Sequence, residues 1–253
     1  MSKEKERMFF CVLKALRLAK KPLGSNSLAG ILEREGFRIS APSISRLLVT
    51  MEREGYLIKQ HSNRGRLLSP KGEDMLDELI REREKRKIAA DLIADVNEES
   101  PEKLLDLLIA RRALEREAVR LAARNASARD IDELIAYAEI LDEVIRSSEH
   151  QHHHSHVATL GEKFHDLIAY ASKNSFLISA LDLIGQNLAL RNALWSLAEQ
   201  QESASGDNHL KIAEAIQNRD PEGAEQAVIA HINTFVDLIQ QQIARRNEKN
   251  LEE

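Results

Sequence analysis

The chain reads as a mostly α-helical protein: a small N-terminal winged helix-turn-helix, then an antiparallel all-helical bundle. Three observations predict this. Glycine and proline are scarce, 10 and 5 in 253 residues, so long helices are permitted almost throughout. From residue 101 to about 246 apolar residues recur at spacings of three and four, with no strand-like alternation. The exception is 56–72, where short apolar runs flank a basic turn from Ser62 to Arg66.

Charge divides the chain in the same place. Residues 1–71 hold 15 Lys and Arg against 6 Asp and Glu, whereas the remainder holds 21 against 35. A basic module on an acidic body points to a polyanionic partner for the first part only. Hydrophobic residues make up 43 % and charged residues 30 %, a soluble globular profile. No apolar run nears the roughly 20 residues of a membrane span. The start, MSKEKERMFF, is too charged for a signal peptide. Cys11 is the only cysteine, so no intrachain disulfide forms, and a reducing cytoplasm is the expected location.

The elements follow in order. Met8, Phe9, Val12, Leu13 and Leu16 share one face of a helix over 5–19, which Pro22 and Gly24 end. A second helix, 25–36, is open to capping by Ser25, Asn26 or Ser27, buries Leu28, Ile31 and Leu32, and stops at Gly36. A third, 40–55, has Pro42 in its first turn and the stripe Ile44, Leu47, Leu48, Met51. Helix, helix, turn, helix, strand, wing, strand is the order of a winged helix. Its third helix would then read DNA with the face opposite the stripe, which carries Ser43, Ser45, Arg46 and Thr50. Of these only Arg46 can grip a guanine edge with two hydrogen bonds. Arg64 and Arg66 on the wing suit phosphate or the minor groove. A helical module for protein contact, with a solvated basic face, is the plainer alternative.

Residues 73–96 read as a charged linker helix, broken at 97–101. The expected division is a winged helix over 1–72, a linker over 73–100, a helical domain over 101–246 and a disordered tail over 247–253. Within the helical domain, helices are expected at 104–124, 127–149, 157–172, 175–198, 207–218 and 221–245. His165, His209 and His231 each sit on the apolar face of a different one. One such histidine is ordinarily a satisfied core residue. Three, on three helices of one bundle, point to a divalent metal, since neutral imidazoles suit zinc or nickel. The stretch EHQHHHSH, 149–156, holds five of the nine histidines and reads as a polar loop able to collect metal ions.

Three segments, RRALEREAVRLAAR (111–124), FHDLIAYASKN (164–174) and HLKIAEAIQNRDPEGAEQAVIAH (209–231), resemble the FCD effector domain of the FadR-like branch of the GntR superfamily. SAPSISRLLVTMEREGYL and RGRLLSPKG resemble the winged helix of ribonuclease R. The first resemblance implies an all-helical effector domain that in many members holds a divalent metal with three histidines and one aspartate. The histidines fall on His165, His209 and His231, and the aspartate position is Gly161 here. That leaves an open three-histidine site, closed by water or an effector carboxylate, or a metal-free pocket. Glu162 is the nearest substitute, but it is turned ~100° round the helix. Family effectors are small organic acids, and Arg111 matches an arginine that lines their pocket; a salt bridge to a neighbouring helix is its other reading. Arg191 and Trp195 would close the pocket. The function so implied is a one-component transcriptional regulator and not an enzyme. It would bind double-stranded operator DNA as a homodimer under the control of a small organic acid. Its rivals are a metal-dependent hydrolase and an RNA-binding winged-helix protein.

Overall fold

The computed structural model describes residues 3–60, 65–146, 154–199 and 208–252. They form two compact units, Met1–Asp91 and Leu92–Glu253. The first contains α1 (Lys3–Ala19), α2 (Ser25–Arg34), α3 (Ala41–Arg53), β1 (Leu57–Lys59), β2 (Arg66–Leu68) and most of α4 (Pro70–Val96). Its core is built from the stripes named above: Val12, Leu13, Leu28, Leu32, Ile44 and Leu48 are fully buried. Each such side chain contributes roughly 1.5–3 kcal/mol by leaving water.

β1 and β2 pair antiparallel, with Leu57 opposite Leu68 and Lys59 opposite Arg66. A third segment joins them. Leu23 and Arg66 exchange two backbone hydrogen bonds of 3.0 Å. Gly65 makes this approach possible: its φ is +104°, and a Cβ there would run into the Leu23 backbone. The start of α2 differs from expectation, because Gly24 is its N-cap and no side chain caps it. α4 starts at Pro70, and Leu76 in its second turn is buried in the same core. Arg17 of α1 anchors that turn through Glu73 at 2.6 Å and Asp77 at 2.7 Å.

The second unit contains α5 (Pro101–Asn125), α6 (Ala128–Arg146), α7 (His154–Ala171), α8 (Ser175–Gly185), α9 (Leu188–Glu199), α10 (Asn208–Gln217) and α11 (Pro221–Glu252). α5 is central and packs against α7, α8, α10 and α11, while α6 packs against α7 and α10. Caps fix several starts. Ser100 accepts from the Lys103 N–H, Asn174 from those of Phe176 and Leu177, and Asp220 from that of Gly223. The core gathers Leu108, Leu134, Phe164, Ile168, Ile212, Ile216 and Val228, all essentially inaccessible.

Two expectations need correction. The single helix over 175–198 is in fact two, α8 and α9. Asn187 makes the break: its Oδ1 accepts the Leu190 N–H at 2.6 Å, capping α9, and its Nδ2 donates to the Val96 carbonyl. The last helix does not end at 245 but runs to Glu252, so residues 247–252, expected as a tail, continue α11.

Candidate metal centre

The centre is assembled by five helices of the second unit. On α5 the buried stripe runs Leu104, Leu108, Arg111, Glu115, Ala118, Ala122, so two opposite charges replace apolar residues one turn apart. α7 supplies Glu162 and His165, α10 supplies His209 and α11 supplies His231. α6 adds Asp142, beside Leu141 on the stripe Leu134, Ala138, Leu141.

The three imidazoles meet. One nitrogen from each lies within 4.8 Å of the others. The ring centres of His209 and His231 are 4.5 Å apart, those of His165 and His231 are 5.3 Å apart, and those of His165 and His209 are 6.0 Å apart. Phe164 stands edge-on to His209 and Phe235 to His231, walling the cluster with apolar rings. His209 and His231 are buried, and only 11 % of the His165 side chain is exposed.

Burial prepares two of these rings, His209 and His231, as neutral donors. Burial pushes the His209 imidazole below its ordinary range, against an opposing pull from Asp142. Burial drives His231 down further, helped by His209, His165 and Arg111. His165 is oriented by a carboxylate, with its Nδ1 2.7 Å from Glu115 Oε2. Burial alone would raise the Glu115 carboxyl; His165 and Arg111 beside it prevail and hold it at about 2. An ionised carboxylate only accepts, so Nδ1 donates its proton to Glu115 and Nε2 is left facing the centre as a potential metal ligand.

Arg111 is not free. Its Nε donates to Glu115 at 2.6 Å and its Nη1 to Glu162 at 3.1 Å. Burial works against its charge, but the two carboxylates outweigh burial and raise its pKa. Glu162 is thereby held away from the role of substitute ligand. Gly185 on α8 leaves room for it, since a Cβ at that position would strike the Glu162 carboxylate. Arg191 is different: its Nε is buried and has no partner among the described residues.

The donor set fits a divalent ion on this structure's own terms. His231 Nδ1, His209 Nδ1 and both oxygens of Asp142 are buried without hydrogen-bond partners. Such orphans are rare in folded proteins unless something absent satisfies them. Formal charges agree. Arg111 offsets one of the three carboxylates Glu115, Glu162 and Asp142, which leaves two negative charges beside the histidines.

Comparison with known proteins bears on this architecture. Residues 106–234, just over half the chain, match the FCD domain.

The chain belongs to the FCD-domain family.

Residues 10–76 of this FCD protein match the ribonuclease R winged-helix domain. No curated protein sequence matches the chain. Similar solved structures include GntR of Streptococcus agalactiae, 19 % identical over 92 % of this chain and 98 % of that one, with a TM-score of 0.46. McbR/YncC of E. coli is 19 % identical over 95 % and 96 %, with a TM-score of 0.47. A GntR-family transcriptional regulator from Pseudomonas syringae is 19 % identical over 90 % and 79 %, with a TM-score of 0.47. The family assignment rests on the domain match alone.

The expected DNA-contacting residues lie in the first unit. Arg46 is exposed on α3, and its Nη2 donates to Ser43 Oγ at 3.2 Å. Ser45 is half-buried, and the Thr50 hydroxyl is turned back to the Arg46 carbonyl. Arg66 bonds Glu52 of α3 at 2.9 Å, so it ties the wing strand to the helix. Arg64 lies outside the described residues, as do the side chains of Trp195 and of the histidine-rich stretch 149–156. Reasoning from sequence missed Glu115 and Asp142 as parts of the centre. The available signal was position, a charged residue on an otherwise apolar stripe.

Proposed function

We propose that this FCD protein is a one-component transcriptional regulator, in which a winged helix binds operator DNA and the helical domain senses a small organic acid through a metal centre. The observation that carries the reading is the meeting of His165, His209 and His231 inside a bundle that matches the FCD domain. When bound, a divalent ion such as zinc or nickel would offer an effector carboxylate a point of attachment in a water-poor site. His165, His209 and His231 hold that ion, and Glu115 fixes the tautomer of His165. Arg191, whose buried Nε has no partner among the described residues, is the guanidinium that meets the effector's carboxylate. Arg111 serves the centre by holding Glu115 and Glu162 in place.

On the DNA side, Arg46 reads a base edge, and Ser43, Ser45 and Thr50 line the same face. Arg64 adds a wing contact to phosphate, with Arg66 holding the wing against Glu52 of α3, and a homodimer would place two such heads on a palindrome. Effector binding alters the populations of DNA-competent and incompetent arrangements, which requires different affinities for the two. No helix among the described residues is long and apolar enough to cross a membrane.

Selection of duplexes from a random library by the full-length protein tests the reading, followed by footprinting with RNA as competitor and salt varied. A single enriched palindromic site, resistant to RNA, is the expected result. An unselective pool, or equal displacement by RNA, would refute it.

A further inference from the structure

Among the carboxylates of the network, Glu115 and Glu162 are hydrogen-bonded, whereas Asp142 is not. Only 3 % of its side chain is exposed, and neither oxygen has a hydrogen-bond partner. The His209 ring approaches it, with Nδ1 3.5 Å from Oδ1, longer than a well-formed hydrogen bond. Asp142 does not belong to the set of donors that lie mutually within 4.8 Å; the three histidines do. It therefore stands behind His209 as Glu115 stands behind His165. At Gly161, where a carboxylate on α7 would face the centre, there is no side chain, and a Cβ built there meets nothing within 4 Å.

We infer that Asp142 is a positioning residue of the metal centre: it accepts the Nδ1–H of His209, presents Nε2 of that ring to the ion, and supplies from α6 a carboxylate that position 161 of α7 does not offer. The inference rests on the metal reading above. A carboxylate buried without a counter-charge destabilises the metal-free fold, and one that orients a ligand tightens the ion. The two effects have opposite signs for the same substitution, which separates this role from that of a core residue.

The test uses the full-length protein, zinc in competition with a chelating chromophore, and thermal melts of metal-stripped samples. Asp142→Asn and Asp142→Ala are expected to weaken zinc binding about 10- to 100-fold, as loss of an outer carboxylate does. The metal-free melting temperature of Asp142→Asn should hold or rise. In cobalt-substituted protein the visible band of Asp142→Asn should keep its position and intensity, since no ligand atom is lost. Unchanged zinc affinity overturns the proposal. So does a metal-free protein destabilised by the Asn variant, which marks a structural residue. A changed cobalt band also overturns it, in favour of direct ligation. Wild-type protein that binds no zinc sinks the metal reading itself, which is a separate result from an unaffected variant.

Discussion

The two units keep their polar groups in opposite ways. In the first, Ser69 is the only buried polar side chain among the described residues, and it is satisfied: its hydroxyl donates to the Gly55 carbonyl and accepts the Gly72 N–H. In the second, Arg111, Glu115, Asp142, Ser172, Asn187, His209 and His231 are all buried. Every buried side-chain atom without a partner among the described residues belongs to Asp142, Arg191, His209 or His231 in that unit. On the proposed reading, a core that only holds a DNA-reading surface can be apolar and complete, whereas one that receives an ion is built with places left open and tolerates their cost in stability.

That contrast can be broken in several places. The largest effect should come from His231→Ala. At a thousandfold excess over its dissociation constant a bound ion stabilises a protein by about 4 kcal/mol. The variant should lose that gain, seen as a melting temperature insensitive to zinc and as absence of zinc in elemental analysis. A variant that retains one bound zinc would show that His231 is an ordinary core residue.

Next in size is Arg46→Ala, expected to cost about 1–3 kcal/mol of binding to the selected duplex, with circular dichroism unchanged. An unaltered footprint would move base reading elsewhere on α3. Acid should separate the units as well. Burial holds His209 and His231 below the ordinary histidine value, so the unfolded chain takes up protons that the folded one refuses. The stability of metal-stripped protein should be full above about pH 6.5 and fall as the pH drops below it. Replacing both histidines by glutamine should flatten that slope.

Two smaller changes sharpen the comparison. Ile44→Val in the first core should cost about 0.5–1.5 kcal/mol, by the same amount with and without zinc. Gly161→Ala should stabilise by about 0.5–1 kcal/mol, because a helical glycine carries excess chain entropy and the space beside it is open. Gly161→Asp places a carboxylate one turn before His165 and should tighten zinc in the competition assay, whereas the alanine variant should not.

Where the sequence was legible, it was through periodicity. Ile44, Leu48 and Met51 mark the buried face of α3, and Leu104, Leu108 and Ala118 mark that of α5; each is where helical spacing puts it. The three histidines were readable only jointly, since each alone looks like core. Arg111 and Glu115 were harder, because opposite charges four apart ordinarily lie on a solvated face. Their burial depends on Glu162, 51 residues beyond Arg111 in the chain. The division of α8 from α9 was hidden for a similar reason, since the partner of Asn187 lies 91 residues away. Local spacing encodes which face turns inward, but it does not encode which distant backbone group waits there.

Asn187 has a mechanical consequence. Both ends of its carboxamide are occupied, one by the first turn of α9 and the other by the final carbonyl of α4. The two segments are riveted at one buried point. A shift of α9, the helix that bears Arg191, must either carry Val96 along as a rigid piece or tear the rivet out and leave a carbonyl stranded in a dry interior.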